Sequence, residues 1–414
     1  MTSATETHRA IELVARQSYG RLVAYLSART RDVAGAEDAL SEALIAALTA
    51  WPRDGLPKSP EAWLLTTARN RLIDRVRHRQ MQASNASALE LLADTGDDVM
   101  SQVGRADELP DERLKLLFVC AHPAIDESIH TPLMLQTVLG LDATAIARAF
   151  VVAPATMGQR LVRAKAKIRQ AGIAFEIPDA AALPARLDAV LRAIYAAYNS
   201  GWEDAAGSNA SSQGLVDEAI WLVRVLKERM PNEAEVRGLL ALMLHCEARR
   251  PARRSADGRF IALSEQDPQR WLRLMIDEAE RELAAAATMQ RTGRFQLEAA
   301  IQSAHAERAR SGRTDWQSIA LLYEGLVRLS PTLGARVGHA AAVAQVKGAA
   351  VGLELLDAID LRTAHGYQPY WAARAHLLAE AGRRSDAQTA FDRAIELADD
   401  PAIRAHLLRR RADR

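Results

Sequence analysis

Two runs of arginine and lysine are where this sequence has most to do chemically. The first, TAIARAFVVAPATMGQRLVRAKAKIRQ at 144–170, reads as two short helices joined by a tight corner. Ile146, Ala147 and Phe150 line one side of the first helix, and Met157, Leu161, Ala164 and Ile168 line the second. That spacing lets the two pack on each other and on a third helix predicted at 132–139. The opposite face carries Thr156, Gln159, Arg160, Arg163 and Lys167, side chains able to bond base edges and phosphates. Five bases and no acid fall between 154 and 170, although a basic helical face is most often only solvated. The second run, ARNRLIDRVRHRQ at 68–80, sets Arg69, Arg71, Arg75, Arg77, His78 and Arg79 against Asp74 alone, with Asn70 among them. Just before it, WPRDGLPKSPEAW supplies a loop with Arg53 and Lys58 between Trp51 and Trp63. A loop beside a basic helix can hold an unstacked base, but each tryptophan alone reads more simply as core.

Catalytic chemistry is not visible. Cys120 and His122 lie two apart with no second Cys/His pair nearby, which reads as core packing and not as a metal site. No phosphate-loop or dinucleotide glycine pattern occurs, so neither an enzyme nor a cofactor is expected. DGRFIALSEQDPQRW at 257–271 offers Asp257, Glu265, Asp267 and Trp271 as pocket residues, but reads more simply as an ordered loop between helices. Trp202, Trp316 and Trp371 read as packing anchors.

The elements that must position these residues are helices. Alanine and leucine abound, aromatics are 5% of the chain and no alternating β-branched segment appears, so the expected fold class is all-α. Helices are predicted at 8–29, 34–50 and 60–79. Ser59 caps the third, Pro60 and Glu61 open it, and Leu65, Ala68, Leu72 and Val76 form one buried stripe. Residues 84–112 then carry eight acids (Glu90, Asp94, Asp97, Asp98, Asp107, Glu108, Asp111 and Glu112) against Arg105, the composition of a mobile linker. Helices resume at 110–122, at 132–139 (opened by Thr131-Pro132, closed by Gly140), at 143–150 and at 154–170.

Pro178 and Pro184 bracket a boundary. From about 185 to the end the chain is expected to be helical, apart from a polar insert at 207–214 and a basic one at 249–259. HLLAEAGRRSDAQTAFDRAIELADDPA at 376–402 sets Gly382 at a turn, then Ala387, Phe391 and Ala394 on one face, then Pro401. This resembles a tetratricopeptide repeat, with weaker echoes upstream, and predicts helical hairpins that bury their apolar faces by stacking. At 414 residues the chain calls for about two to three domains. The longest uncharged run, Ser128 to Leu141, is 14 residues, short of the roughly 20 of a membrane span. MTSATETHRAIEL shows no signal peptide, and two cysteines 126 apart form no disulfide framework; a cytoplasmic location is expected.

Taken together, these segments resemble the sigma-70 superfamily, specifically its two-domain extracytoplasmic-function type. GAEDALSEALIAALTAW is similar to the helix that docks on the RNA polymerase β′ clamp. PEAWLLTTARNRLIDRVR is similar to the promoter −10 helix, and LPDERLKLLFVCAHPAI with LDATAIARAFVVAPATMGQRLVRAKAKIRQAGIAFEIP to the −35-reading domain. FVCAHPAI and AGIAFEIP match the subgroup with a long tetratricopeptide-like C-terminal extension. The resemblance implies region 2 at 1–82, an acidic linker at 83–109, region 4 with a helix-turn-helix at 110–178 and a regulatory extension at 185–414. It implies that Glu37, Asp38, Ser41 and Glu42 face the polymerase, with Ser41 where the family commonly has glutamine. Arg69, Asn70, Arg71, Arg75 and Arg77 would face the −10 element, and Thr156, Gln159, Arg160, Arg163 and Lys167 the −35 element. The implied partners are core RNA polymerase (β′ clamp and β flap), promoter DNA and a protein on the extension, where small YCII-like proteins are the implied candidates. The competing readings are a tetratricopeptide-type scaffold and a helix-turn-helix activator without sigma activity.

Overall fold

A computed structural model describes residues 2–82, 111–150, 152–179, 181–203 and 210–412. The fold is all-α: no strand occurs among these residues, and one isolated bridge joins Arg254 and Phe260. None of the described helices is long and apolar enough to cross a membrane. The acidic linker expected at 83–109 lies outside the described residues. Two compact units divide the chain, Met1–Ala205 with Asn209–Leu222, and Ala206–Ser208 with Val223–Arg414.

In the first unit α1 (Thr2–Thr30), α2 (Val33–Asp54) and α3 (Pro60–Gln82) pack on one another. Asp32 caps α2 by accepting from the Gly35 N–H, and Glu61 in the first turn of α3 accepts from Ser18 and Arg21 of α1. The start of α3 is thereby pinned to α1, and Ala62, Leu64, Leu65, Ala68 and Leu72 are turned inward. Next come α4 (Arg113–Cys120), α5 (Glu127–Thr137), α6 (Ala143–Ala149) and α7 (Pro154–Gln170). Helix α7 has the bounds read from sequence, with Pro154 in its first turn.

Two details of this region differ from expectation. Helix α5 begins at Glu127, capped by the Asp126 carboxylate on the Ser128 N–H, and Pro132 lies inside it, so Thr131-Pro132 does not open the helix. Proline marks a first turn because there its missing N–H and its ring meet no helical carbonyl, but here the cap that starts the helix is Asp126, six residues earlier, and the proline is carried inside. Phe150 lies past the last residue of α6 and is 36% exposed, lining an open cleft with His130, Ala189 and Arg192 in place of the helix pair's core. Ile146 and Ala147 are buried as expected.

Helix α8 (Leu183–Glu203) packs against α5 and α4, burying Leu187, Val190, Leu191 and Ile194. Arg186 donates to the Phe118 carbonyl, and Arg192 lies 3.2 Å from Glu127. Helix α9 (Ala210–Arg229) includes residues 210–214, which sequence had assigned to a polar insert. Its Glu218 pairs with Arg113, whose guanidinium lies 4.1 Å from the Trp221 ring centroid. The first unit thus runs past Pro178 and Pro184 to Leu222.

The second unit continues with α10 (Ala234–Ala248), α11 (Arg273–Thr288), α12 (Arg294–Ala306), α13 (Arg308–Ser311), α14 (Trp316–Leu329) and α15 (Leu333–Lys347). It ends with α16 (Ala349–Asp357), α17 (Leu361–Ala364), α18 (Gln368–Glu380), α19 (Arg384–Glu396) and α20 (Pro401–Ala412). Neighbouring helices pack in succession, as α18 on α19, where Gly382 takes φ +76 at the turn. A side chain there would be strained, so glycine sets the hairpin. Ala387, Phe391 and Ala394 are buried against Tyr370 and Leu377. The basic loop from Arg249 to Trp271 is ordered. Arg308 donates to the carbonyls of Leu263, Ser264 and Gln266, and its guanidinium lies 5.3 Å from the buried Trp271 ring. The loop reaches α20, where Arg254 pairs with Asp400 and Phe260 meets His406 edge to face.

Candidate nucleic-acid interface

Helix α3 sorts its residues by helical period. With the apolar stripe inward, Asn70, Arg71 and Arg77 are exposed, and Arg69 and Arg75 are half-buried. The side chains of Val76, His78 and Arg79 lie outside the described residues. Arg75 reaches back to α2, 2.5 Å from Glu42 and 3.4 Å from Asp38, and Arg71 lies 3.8 Å from Glu42. Two of the arginines assigned to DNA therefore sit on two of the acids assigned to the polymerase. Exposed pairs of this kind contribute about 0–1 kcal/mol each, so phosphate oxygens can exchange for the carboxylates at small cost. Trp51 is buried and meets Trp63 edge to face at 5.5 Å, which makes both rings part of the packing under the loop.

Along α2, Asp38 and Ser41 are exposed, and so are Ile45 at 63% and Leu48 at 43%. Positions 38, 41, 42, 45 and 48 recur at helical spacing, giving an apolar stripe edged by carboxylates. Ile45 and Leu48 were not singled out from sequence; the signal was there, since an apolar pair on the face opposite Leu40, Ala43 and Ala47 has no core to enter.

Glu37 does not share that exposure. It is buried, and its Oε2 accepts from Lys165 Nζ at 2.5 Å. Burial pushes the Glu37 carboxyl above the usual carboxylate range, with Lys165 acting in the opposite direction. Lys165 also donates to Gln136 Oε1 at 3.0 Å, and Arg169 lies 3.3 Å from the capping Asp32. Neither Lys165 nor Arg169 was assigned a role from sequence. Lys165 follows Leu161 by four and precedes Ile168 by three, so its register put it on the buried stripe of α7.

The other face of α7 is clear. Thr156, Gln159, Arg160, Arg163 and Lys167 are all exposed, while Met157, Leu161, Ala164 and Ile168 are buried. Helix α7 packs on α5 and on α6, the short helix that precedes it in the chain, a packing that a helix-turn-helix also uses. Its outer face presents amide, hydroxyl and guanidinium donors in a row, able to bond base edges and phosphates together. Cys120, beneath these helices, is buried with its Sγ 3.4 Å from Thr137 Oγ1, and burial pushes the thiol up to about 12. That makes it a packing group.

Comparison with known proteins places two segments. Residues 14–81 match the sigma-70 region 2 model, which covers α2, nearly all of α3 and most of α1. Residues 186–287 match a family of unknown function (DUF6596). The uncharacterized protein R00370 of Rhizobium meliloti (strain 1021) is 40% identical over 393 residues, 94% of this chain and 92% of that protein. No solved structure matches. A sigma-70 region 2 implies a sigma-factor-like role in transcription initiation, with core RNA polymerase and promoter DNA as partners. The chain belongs to the same family as the Rhizobium protein, and its residues 14–81 form a sigma-70 region 2, which supports a place in the sigma-70 superfamily.

Proposed function

We propose that this chain is an alternative sigma factor of the extracytoplasmic-function type, acting in the cytoplasm, with a tetratricopeptide-like regulatory extension. One observation carries the reading. Within the region 2 match, an exposed stripe of Asp38, Ser41, Ile45 and Leu48, with the half-buried Glu42 at its edge, adjoins a helix whose outer face holds Asn70, Arg71 and Arg77. An acidic–apolar stripe suits a protein partner with basic and apolar residues, and an arginine face suits DNA. The two needs of an initiation subunit, to hold the polymerase and to hold the promoter, are met on adjoining helices.

In this reading region 2 occupies 1–82 and docks on the β′ clamp through α2, with α3 on the −10 element. Region 4 occupies 110–178, touches the β flap and reads the −35 element with Thr156, Gln159, Arg160, Arg163 and Lys167. The acidic 83–109 connects them, and 185–414 modulates the sigma module by binding a protein partner or by contact with it. The polymerase supplies the nucleotidyl chemistry, and this chain supplies the choice of promoter.

Ile45→Asp tests the docking face with little risk to the fold, because Ile45 is 63% exposed. In a gel-shift or size-exclusion assay with purified core polymerase the variant should bind at least ~10-fold more weakly, the loss of about 1.4 kcal/mol expected for a charge placed in an apolar contact. Unchanged binding would remove α2 from the docking surface.

A further inference from the structure

We infer that the second unit carries a binding site for a small organic carboxylate with an apolar body, centred on Arg249 where α10, α12 and α14 meet. Three helices bring polar and aromatic side chains to one place. Cys246 and Arg249 lie about one turn apart at the end of α10, Gln302 and His305 about one turn apart on α12, and Trp316 and Tyr323 about two turns apart on α14. Helix α12 packs on both α10 and α14. Across these contacts Arg249 donates to Gln302 Oε1 at 2.5 Å, and His305 meets Trp316 edge to face at 5.4 Å.

Arg249 carries a charge that its surroundings do not match. It is half-buried, and its partners are all uncharged: the His245 carbonyl, the Cys246 thiol and the Gln302 amide oxygen. It makes no ion pair among the described residues. A cation withdrawn from water is costly unless a counter-charge or a full set of hydrogen bonds offsets the loss. The nearby charges do not supply one. Arg308 is engaged by the carbonyls of Leu263, Ser264 and Gln266, and burial, then the Arg249 charge, hold it below its ordinary range. Glu298, whose charge acts on Tyr323, is taken by Arg294 at 2.6 Å.

Neutral donors surround this charge. Burial pushes the His305 imidazole down to about 4 and the Tyr323 hydroxyl up to about 12, so near neutral pH each ring is uncharged and can donate. Neither side chain makes a hydrogen bond among the described residues. Both keep partial exposure although burial dominates their environment, as in the floor of a recess. Gly338 of α15 seats Tyr323 there, since a Cβ at that position would fall 2.5 Å from the ring. One available guanidinium among neutral donors matches the single charge of a carboxylate, whereas a phosphate dianion would leave a second charge unmatched. The Trp316 and Tyr323 rings supply an apolar wall for the body of the ligand.

Saturation-transfer NMR on the full chain tests the site, with phenylacetate as the probe, phenylethanol as its neutral counterpart and inorganic phosphate as the dianion. Phenylacetate should bind with a Kd on the order of 1 mM, the range open to so small a ligand. It should bind at least ~10-fold tighter than phenylethanol, the share of a charge-assisted hydrogen bond. Arg249→Gln should lose that margin. Tyr323→Phe, which keeps the ring on Gly338, should weaken phenylacetate about fivefold through the missing hydroxyl.

Absence of any phenylacetate signal would overturn the site. Equal binding of phenylethanol would reduce it to an apolar patch, and displacement of phenylacetate by phosphate at lower concentration would overturn the carboxylate assignment. Phenylacetate binding unchanged in both variants would place the contact elsewhere. Circular dichroism checks that Arg249→Gln folds; if it does not, Tyr323→Phe decides alone, and unchanged affinity in that variant would overturn the inference.

Discussion

Arg160 and Arg163 are the residues on which promoter choice should turn. Both project from the exposed face of α7, with no acid in that helix to neutralise them. Arg160→Ala and Arg163→Ala should each weaken promoter use by about 1–3 kcal/mol where they contact bases, measured as transcript yield across several promoters. A uniform loss on all promoters would assign them to phosphates, and no loss would remove them from the site. His245 carries a different expectation at the same scale. It is 1% exposed, neither ring nitrogen has a hydrogen-bond partner among the described residues, and Nε2 lies 3.4 Å from Glu280 Oε1. Burial, and after it the Arg249 charge, hold its imidazole down at about 3 against an ordinary 6.5. A group depressed on folding contributes stability that is complete above about 6.5 and is lost as the pH falls toward 3. The loss should approach ~1.4 kcal/mol per pH unit in that window. Urea unfolding at pH 7.5 and 5.5 should therefore differ more in the wild type than in His245→Leu; equal differences would contradict the assignment.

At the scale of elements, α8 matters most for how the chain can be cut. It buries Leu187, Val190, Leu191 and Ile194 in contact with α4 and α5, although it follows Pro178 and holds Pro184 in its first turn, the two prolines that mark a boundary in sequence. A chain ending at 180 should expose that surface, bind a hydrophobic dye and melt at a lower temperature than one ending at 229. Equal melting of the two would mean that α8 adds nothing to the first unit. How far such elements were legible follows from the range of the forces that set them. The bounds of α7 were readable because Pro154 and a clean apolar stripe are local signals. The start of α5 was not, because an interior Pro132 gives the same signal as a first-turn proline, and the Asp126 cap lies six residues earlier. In the site, the exposed face of α7 followed from its period alone. The burial of Glu37 did not, since its partner lies 128 positions away and spacing carries no information about that pairing.

Across the whole molecule the chain divides into a unit holding the two candidate DNA helices and a unit of successive packed helices. The second is braced by its own long loop, with Arg254 on Asp400 and Phe260 on His406. On the proposed reading, a braced array of helices in the same chain suits control through a bound protein, whereas a scaffold alone would not need the arginine faces of α3 and α7. Run-off transcription with purified core polymerase tests the central claim most directly. Transcripts should start at specific sites only when core and this chain are both present, and should fall when Arg160 and Arg163 are replaced together. No initiation with the pair, or initiation only after another sigma factor is added, would contradict it.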